Sequence, residues 1–189
     1  MFRHAYQSGI ITLFNSISSD PLQLWSSVSA DGIRIATDDE VEDAVLCLQS
    51  ADLAHTFISC PKSTSDTLGI TLPCLTMLAK NIDHLFSFEV EYLDACKTVR
   101  RIRASSYQRE PVVEHQISCL PLKLDQGWNY MTLDFSDMAS RLYGTGFKQV
   151  QRISIHANAY LRLVMFADRI VAEDELPREL RLYAKKLLY

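Results

Sequence analysis

Two groups of cationic side chains are the residues of this sequence best suited to binding a partner. Arg101 and Arg103, with Arg100 beside them, form the first group. The second group follows an acidic run near the end of the chain and comprises Arg178, Arg181, Lys185 and Lys186. Such cations could bind nucleic acid or an acidic protein. Alternatively, Glu89 and Glu91 neutralise the first group on a solvated strand face, and the second belongs to a packed or frayed amphipathic helix.

A tryptophan close to an acidic residue raises a third possibility, sugar binding. Asp125 is followed closely by Gly127 and Trp128, and an exposed indole ring can stack on a sugar. The alternative, which we favour, is that Trp128 is buried and anchors the core. The exposure of this side chain in the folded protein decides between the two interpretations.

Catalytic motifs are absent from the sequence. It has no phosphate-binding glycine loop and no nucleophile elbow, and Gly144-Thr145-Gly146 lacks the third glycine of a dinucleotide site. His156 lies in an apolar segment and is predicted to be a hydrogen-bonded core histidine. The five cysteines include no C-x-x-C pair, which favours reduced thiols over disulfides or zinc. We therefore predict no catalysis, no cofactor and no metal.

Length and composition indicate one globular unit. The chain has 189 residues, of which 48% are hydrophobic, and we predict a single domain over residues 1–189. Its net charge of −4 gives no general attraction to nucleic acid or to an anionic membrane. The sequence begins without the pattern of a signal peptide and has no apolar run of membrane-spanning length. We expect a soluble, cytosolic protein.

The segment 121–168 sets the architecture. Trp128 to Leu133 has the aromatic and β-branched residues typical of a strand, and a short helix capped by Asp134 or Ser136 should follow it. Gly144 should end that helix. A strand-rich chain with one such helix and no repeated β–α–β pattern predicts an antiparallel sandwich, in which the helix plugs an open end or edge.

Two long strands complete this segment. Val150 to Ala157 and Tyr160 to Phe166 are predicted to form a hairpin around Asn158, a residue type that tolerates left-handed turns. The second strand is apolar on both faces. One face needs a cover, which the helix, the tail or a partner could provide. That face comprises Leu161, Leu163 and Met165.

A second predicted hairpin carries Glu89 and Glu91 on its first strand and Arg101 and Arg103 on its second, and the sequence itself defines its register. Apolar and polar residues alternate on both strands. A three-residue loop, 95–97, would place Glu91 opposite Arg101 and Glu89 opposite Arg103. A slip of one residue would bury both arginines.

Other strands are predicted from apolar runs and their boundaries. They are Leu22 to Trp25, Ala54 to Cys60, the run that begins at Cys74 after Pro73, and Val112 to Leu124. Val41 to Leu48 fits either a strand or a helix. The side chains predicted to be buried between the sheets are Trp25, Phe88, Val90, Ile102 and Phe166.

The end of the chain, residues 173–189, is predicted to be a helical tail. An acidic run with a proline near the first turn favours a helix start, and Leu180, Tyr183 and Leu187 follow at helical spacing. The predicted fold class is therefore all-β: an antiparallel β-sandwich or jelly roll with one short inserted helix and a C-terminal helical tail.

Motifs spread over nearly the whole chain form one ordered set. They are Gln7-Ser8-Gly9, Pro21-Leu22-Gln23 with Trp25, Cys60-Pro61, Thr67-Leu68-Gly69-Ile70 with Leu72-Pro73, Phe88-Glu89-Val90, Arg103-Ala104-Ser105, Gly127-Trp128-Asn129, Tyr143-Gly144-Thr145, Ile155-His156-Ala157-Asn158, Phe166 with Asp168-Arg169, and Glu173-Asp174-Glu175-Leu176-Pro177. With this set, the chain resembles the cilia- and flagella-associated protein 20 family. The ordered set is far more specific than any single motif.

The resemblance implies a β-jelly-roll protein of the ciliary or flagellar axoneme. Such a protein would act at the inner junction of the doublet microtubule, where the B-tubule closes onto the A-tubule, and would alternate with the parkin co-regulated protein. Its partners would be α- and β-tubulin of both tubules and other inner-junction proteins. The expected location is the axoneme and basal body, with a nuclear pool as a further option. No catalytic activity comes with the family.

Two alternatives to this function stay open. One is a carbohydrate- or ligand-binding jelly roll that uses Trp128, and the other is a nuclear or RNA-associated adaptor that uses the arginine strand. For an acidic partner such as tubulin, we expect the tail cations to contribute more than Arg101 and Arg103. The reason is that the latter face glutamates, whereas the tail cations lie further from their acidic run.

Overall fold

The computed structural model describes residues 1–28 and 30–183, which form two β-sheets packed face to face and one α-helix. The first sheet contains β1 (Ile10–Asn15), β3 (Ile33–Asp38), β4 (Asp43–Leu48), β6 (Cys74–Asn81), β11 (Gly127–Asp134) and β13 (Ala159–Ala167). The second contains β2 (Ser26–Val28), β5 (Phe57–Cys60), β7 (Ser87–Asp94), β8 (Val99–Ser105), β9 (Val112–Val113), β10 (Ile117–Pro121) and β12 (Phe147–His156). The helix is α1 (Phe135–Tyr143).

Strand order shows how the sandwich is assembled. The first sheet runs β11-β6-β13-β4-β3, with β1 paired to β13, and the second runs β2-β5-β12-β7-β8-β10-β9. Neighbouring strands are antiparallel except β8 and β10, which are parallel. After β8 the chain passes to β9 at the outer edge of the sheet and then returns as β10, which lies between β9 and β8. The predicted all-β sandwich with one short helix is confirmed.

The core between the sheets contains all five side chains predicted for it. Trp25 lies edge-on to Phe14, with ring centroids 6.3 Å apart, and its indole N–H donates to the Leu13 carbonyl oxygen at 2.8 Å. This hydrogen bond satisfies the polar atom that a buried tryptophan carries into an apolar environment. Trp25 is therefore a core residue, as predicted.

The β7–β8 hairpin has the predicted register. Glu91 lies opposite Arg101, and Glu89 lies opposite Arg103. A backbone hydrogen bond of 2.9 Å closes the loop 95–97. Alternation fixes this register because a shift of one residue would exchange the buried face with the charged face.

The predicted hairpin of β12 and β13 is wrong, because the two strands belong to different sheets. The chain crosses between the sheets at Ala157 and Asn158, whose peptide bond is cis. The backbone of Asn158 lies outside the left-handed region. Its side-chain oxygen accepts a hydrogen bond from the Ser50 N–H at 2.7 Å, and its own N–H donates to the Leu85 carbonyl oxygen at 2.8 Å. Asn158 thus joins loops at the crossover.

Two further strand predictions are now settled. Leu22 to Trp25 is a turn rather than a strand, because the Trp25 N–H bonds back to the Leu22 carbonyl oxygen at 2.9 Å. The ambiguous run after Val41 is the strand β4, which pairs with β3 on one side and β13 on the other. Val45 and Leu46 pack on opposite faces of this sheet, as alternation in a strand requires.

The helix α1 has local caps at both ends. The Asp134 carboxylate accepts hydrogen bonds from the N–H groups of Ser136 and Asp137, and Gly144 ends the helix at φ 63°. Of the two residues predicted to cap the start of the helix, Asp134 and Ser136, the structure uses Asp134. Gly144 ends the helix as predicted. Phe135 is buried, and α1 contacts one strand of each sheet, β6 and β12. The helix thus closes the space between the sheets.

The tail provides the cover that the outer face of β13 needs. Leu163 and Met165 point away from the central core and belong to a second apolar cluster. The tail residues of that cluster are Val171, Leu176, Leu180 and Leu182. Leu161, which alternation predicts on the same outer face, lies in the central core, because a β-bulge at Arg162 shifts the alternation.

Short 3-10 helices form the described part of the tail, Glu173–Glu175 and Arg178–Leu180, in place of the predicted continuous α-helix. Side chains form hydrogen bonds with backbone groups of the tail: the Leu182 N–H, for example, donates to a Glu173 carboxylate oxygen at 3.2 Å. Contacts with the sheet therefore decide the conformation of the tail, although the spacing of its apolar residues favours an α-helix. Leu187, part of that spacing, lies outside the described residues.

Three of the cysteine thiols are buried, those of Cys47, Cys60 and Cys74. Burial raises the pKa of Cys60 to about 12 and that of Cys74 to about 11. These two thiols therefore stay protonated and unreactive at neutral pH. Among residues 1–28 and 30–183, no helix has the length and apolarity needed to cross a membrane.

Candidate partner-binding surface

Paired charges line the outer face of the second sheet. Arg101 Nη2 lies 2.5 Å from Glu91 Oε1, and Arg103 Nη2 lies 2.5 Å from Glu89 Oε1. Arg101 Nε also lies 3.5 Å from Glu89 Oε2, which links the two pairs. The predicted pairing on a strand face is confirmed. We call these four residues the arginine ladder.

The arginines of the ladder are its outermost groups. The side chains of Arg101 and Arg103 are 44% and 38% exposed, whereas those of Glu91 and Glu89 are 25% and 15% exposed. Burial alone would lower the pKa of Arg103, but its hydrogen bond to Glu89 raises that pKa above its usual value. A docking partner would therefore meet guanidinium groups first, although each is paired below.

Arg152 on β12 lies opposite Glu91, beside the ladder. Its guanidinium donates hydrogen bonds to the backbone carbonyl oxygens of Pro61, Ser63, Thr64 and Asp66. Arg152 thus fastens the loop 61–66 to the sheet. Sequence reasoning missed this role, because a bulge before Arg152 interrupts the alternation that would have placed it on the outer face.

Arg100 does not belong to the exposed cationic group. Its side chain is buried and paired with Asp94. The predicted patch is therefore smaller than the run of arginines in the sequence suggests. Alternation explains this, since Arg100 precedes the two outward arginines and faces the opposite side of β8 from Arg101.

Among the tail cations, Arg181 differs in position from what the sequence predicted. Arg181 donates from Nε to the Leu176 carbonyl oxygen at 2.8 Å and from Nη2 to the Asp174 carbonyl oxygen at 2.6 Å. It therefore lies on the acidic run rather than away from it. Arg178 has an exposed side chain. Lys185 and Lys186 lie outside the described residues.

Trp128 is partly buried and packs on the second apolar cluster. Its indole N–H lies 3.4 Å from Asp38 Oδ1, and Lys80 Nζ lies 5.9 Å from its ring centroid. Burial raises the pKa of Asp38, but hydrogen bonds from Lys80, at 2.7 Å, and the Val41 N–H outweigh burial and lower it. These contacts favour an anchoring role for Trp128 over a sugar platform.

His156 is partly buried and makes structural contacts. Its Nδ1 lies 3.2 Å from the Leu53 carbonyl oxygen, and its ring centroid lies 5.0 Å from that of Phe57. The predicted hydrogen bond is therefore present, but the ring is partly exposed and, contrary to the prediction from the sequence, does not lie in the core. In the part of the chain that the structure describes, no group of three or more His, Cys, Asp or Glu residues could hold a metal ion.

Comparison with known proteins identifies the family and the relatives of this chain. A family model described as the CFA20 domain matches residues 1–184. The chain belongs to the CFA20 domain family. Family members named cilia- and flagella-associated protein 20 are 43% identical in Caenorhabditis elegans and 40% identical in Chlamydomonas reinhardtii. Each match spans 184 residues, which is 97% of this chain and 91% and 97% of the respective relatives.

Solved structures add little to this family assignment. An exo-beta-agarase has a TM-score of 0.43 at 12% identity, over 87% of this chain and 26% of that chain. The agarase AgWH50C has a TM-score of 0.38 at 9% identity, over 89% and 26%. These scores are too low to establish a shared fold or a shared activity.

Proposed function

We propose that this protein is a non-catalytic structural component of the ciliary or flagellar axoneme. In this proposal it links the B-tubule to the A-tubule at the inner junction of the doublet microtubule and thereby supports motility. Its partners are α- and β-tubulin of both tubules, the parkin co-regulated protein and other inner-junction proteins. Membership of the CFA20 domain family over residues 1–184 carries the proposal.

The extent of the similarity supports a shared role. The relatives are named for association with cilia and flagella, and the match covers more than nine-tenths of this chain and of each relative reported. The similarity therefore extends to the tail and the edge strands as well as the core. A shared fold by itself would not carry a function, because one fold can support many.

The surface is physically suited to an acidic lattice. Tubulin is acidic, and a chain with a net charge of −4 must approach it through local cations. The candidates are Arg101, Arg103, Arg178, Arg181, Lys185 and Lys186. Contrary to the ranking expected from the sequence, we place the ladder arginines first, because they are the outermost groups of their pairs, whereas Arg181 is committed to backbone carbonyl groups. Modest sites suffice where contacts repeat along a lattice.

A complementation experiment tests the proposal. The tagged chain is expressed in Chlamydomonas reinhardtii cells whose own cilia- and flagella-associated protein 20 is deleted, and doublets are imaged by cryo-electron tomography. We expect the tag in the axoneme and basal body, and closure of the B-tubule wall at the inner junction. The matched control is the deleted cell with the tag alone. A tag found only in the nucleus or in the detergent-soluble ciliary fraction would refute the proposal.

A further inference from the structure

Tyr6 is the most exposed large apolar side chain in the described part of the chain, with 93% of its surface open to solvent. Single exposed aromatic residues are common on flexible ends. This one lies on a backbone that is held at several points. The combination of a solvent-facing ring and a fixed backbone is what a docking residue requires, because little conformational freedom is then lost on binding.

Hydrogen bonds on both sides of Tyr6 hold the backbone. Gln7 Nε2 donates to the Phe2 carbonyl oxygen at 3.0 Å and to the Gly69 carbonyl oxygen at 2.8 Å, and Gln7 Oε1 accepts from the Thr71 N–H at 2.8 Å. The Ala5 N–H closes a turn onto the Phe2 carbonyl oxygen at 3.0 Å. We call residues 2–7, held in this way, the N-terminal clamp.

The clamp is attached to the second sheet through the segment 67–71. The Phe2 N–H donates to the Leu68 carbonyl oxygen at 2.7 Å, and the Gly69 N–H donates to the Val150 carbonyl oxygen on β12 at 2.9 Å. Gly69 has φ 68°, and a Cβ atom there would come within 3.0 Å of the Arg3 backbone. The close approach therefore requires glycine, which explains how the clamp lies so tightly on this segment.

Charge around Tyr6 indicates the chemistry of the partner. Arg3 and His4 are exposed beside it, and no acidic residue occurs in the sequence before Asp20. Within residues 1–28 and 30–183, no carboxylate pairs with Arg3. The clamp is thus a cationic, aromatic element on a protein that is acidic as a whole, which favours an acidic partner surface.

We propose that the N-terminal clamp is a docking element that inserts the Tyr6 ring into an apolar pocket on an acidic protein surface. Aromatic anchors held in their bound conformation commonly carry much of the energy of an interface. The inference rests on the proposed function, which supplies the acidic surface in the form of the doublet lattice. It adds a contact that is independent of the arginine ladder.

Binding to isolated doublets tests the inference. Doublet microtubules from cells that lack their own copy are sedimented with the full chain, and apparent dissociation constants are measured over a salt series. Tyr6→Ala should weaken binding roughly thirtyfold, the loss typical of an interface hot spot, with an unchanged melting temperature. Tyr6→Phe should bind within about threefold of wild type, because the phenyl ring fills the same apolar pocket. Tyr107→Ala, a half-exposed tyrosine on another loop, is the matched control and should bind as wild type.

A second variant tests whether the fixed backbone matters. Gln7→Ala removes the Gln7 side-chain hydrogen bonds of the clamp but keeps the Tyr6 ring, and binding should therefore weaken. If Tyr6→Ala binds the doublets as tightly as wild type does, the inference is overturned and the proposed function stays intact. Absence of saturable wild-type binding to the doublets would overturn both.

Discussion

Arg100 donates a hydrogen bond from Nε to Asp94 Oδ2 at 2.9 Å, and both side chains are buried at the turn end of the β7–β8 hairpin. Burial raises the pKa of Asp94, but hydrogen bonds from the Thr98 N–H and from Arg100 outweigh burial and lower it. The same guanidinium lies 4.3 Å from the ring centroid of Tyr143 on α1 and donates to the His115 carbonyl oxygen before β10. One ion pair therefore joins the hairpin, the helix and the edge of the sheet.

Asp94→Asn should lower the free energy of unfolding by about 3 kcal/mol at neutral pH, because it leaves the Arg100 charge buried without its partner. The lowered pKa of Asp94 contributes stability that is present above the ordinary value of 3.8 and is lost as pH falls through the folded-state pKa. The stability of wild type should therefore fall more steeply in acid than that of the variant. Urea unfolding from neutral pH into this acid range measures both effects.

Asp137→Asn is the control for this prediction, since Asp137 lies exposed on α1. It should change the free energy of unfolding by less than about 0.5 kcal/mol. If Asp94→Asn shows the same acid dependence as wild type, the Asp94 carboxylate does not titrate as described.

Replacement of both ladder arginines, Arg101→Ala with Arg103→Ala, should weaken retention on doublets about tenfold at low salt and flatten the salt dependence. Glu89→Gln with Glu91→Gln is the matched variant, and it should preserve or strengthen retention because it removes the neutralising charges. Arg178→Ala with Arg181→Ala should cause a smaller loss than the ladder variant. Release of the tail variant while the ladder variant stays bound would assign the contact to the tail.

Phe88→Ala should destabilise the protein by roughly 3–5 kcal/mol, because the ring is buried between the sheets and packs 6.2 Å from the Phe86 ring. Thermal and chemical unfolding measure the loss. Val99→Ala, on an exposed position of the same hairpin, should cost less than about 0.5 kcal/mol. A loss below about 1 kcal/mol for Phe88→Ala would contradict the packing described.

Leu176→Ala should destabilise the protein by about 2–3 kcal/mol and increase binding of a hydrophobic dye. The reason is that Leu176 is buried in the tail and covers the outer face of the first sheet, where Leu163 and Met165 lie. Dye fluorescence and urea unfolding report the two effects. Glu179→Ala, an exposed tail position, is the control and should leave dye fluorescence unchanged. Equal dye binding in both variants would show that Leu176 does not seal this face.

The sequence by itself determined the features that depend on near neighbours. The register of the β7–β8 hairpin follows from alternation and from the charges of Glu89 and Arg103, which a slip would misplace. The end of α1 follows from Gly144, because glycine can adopt a left-handed backbone, and its start was predicted at Asp134 or Ser136, of which the structure uses Asp134. Each signal involves residues close together in the chain.

The tertiary structure decided which strands become neighbours. β12 and β13 are adjacent in sequence and apolar enough for a hairpin, yet the chain crosses between sheets at Asn158. Apolar alternation identifies the buried face of a strand but not its hydrogen-bonding partner, because both sheets of a sandwich offer the same apolar environment.

The surface features divide between those that the sequence determined and those that the tertiary structure decided. Ladder pairs could be predicted because Glu91 and Arg101 lie ten residues apart on one hairpin. The position of Arg181 on the acidic run and the attachment of the N-terminal clamp to Gly69 could not, since both need the chain to fold back on a distant segment. Composition and alternation determined an all-β chain with defined faces, whereas long-range backbone hydrogen bonds decided how its ends cover the sandwich and which groups they present to solvent.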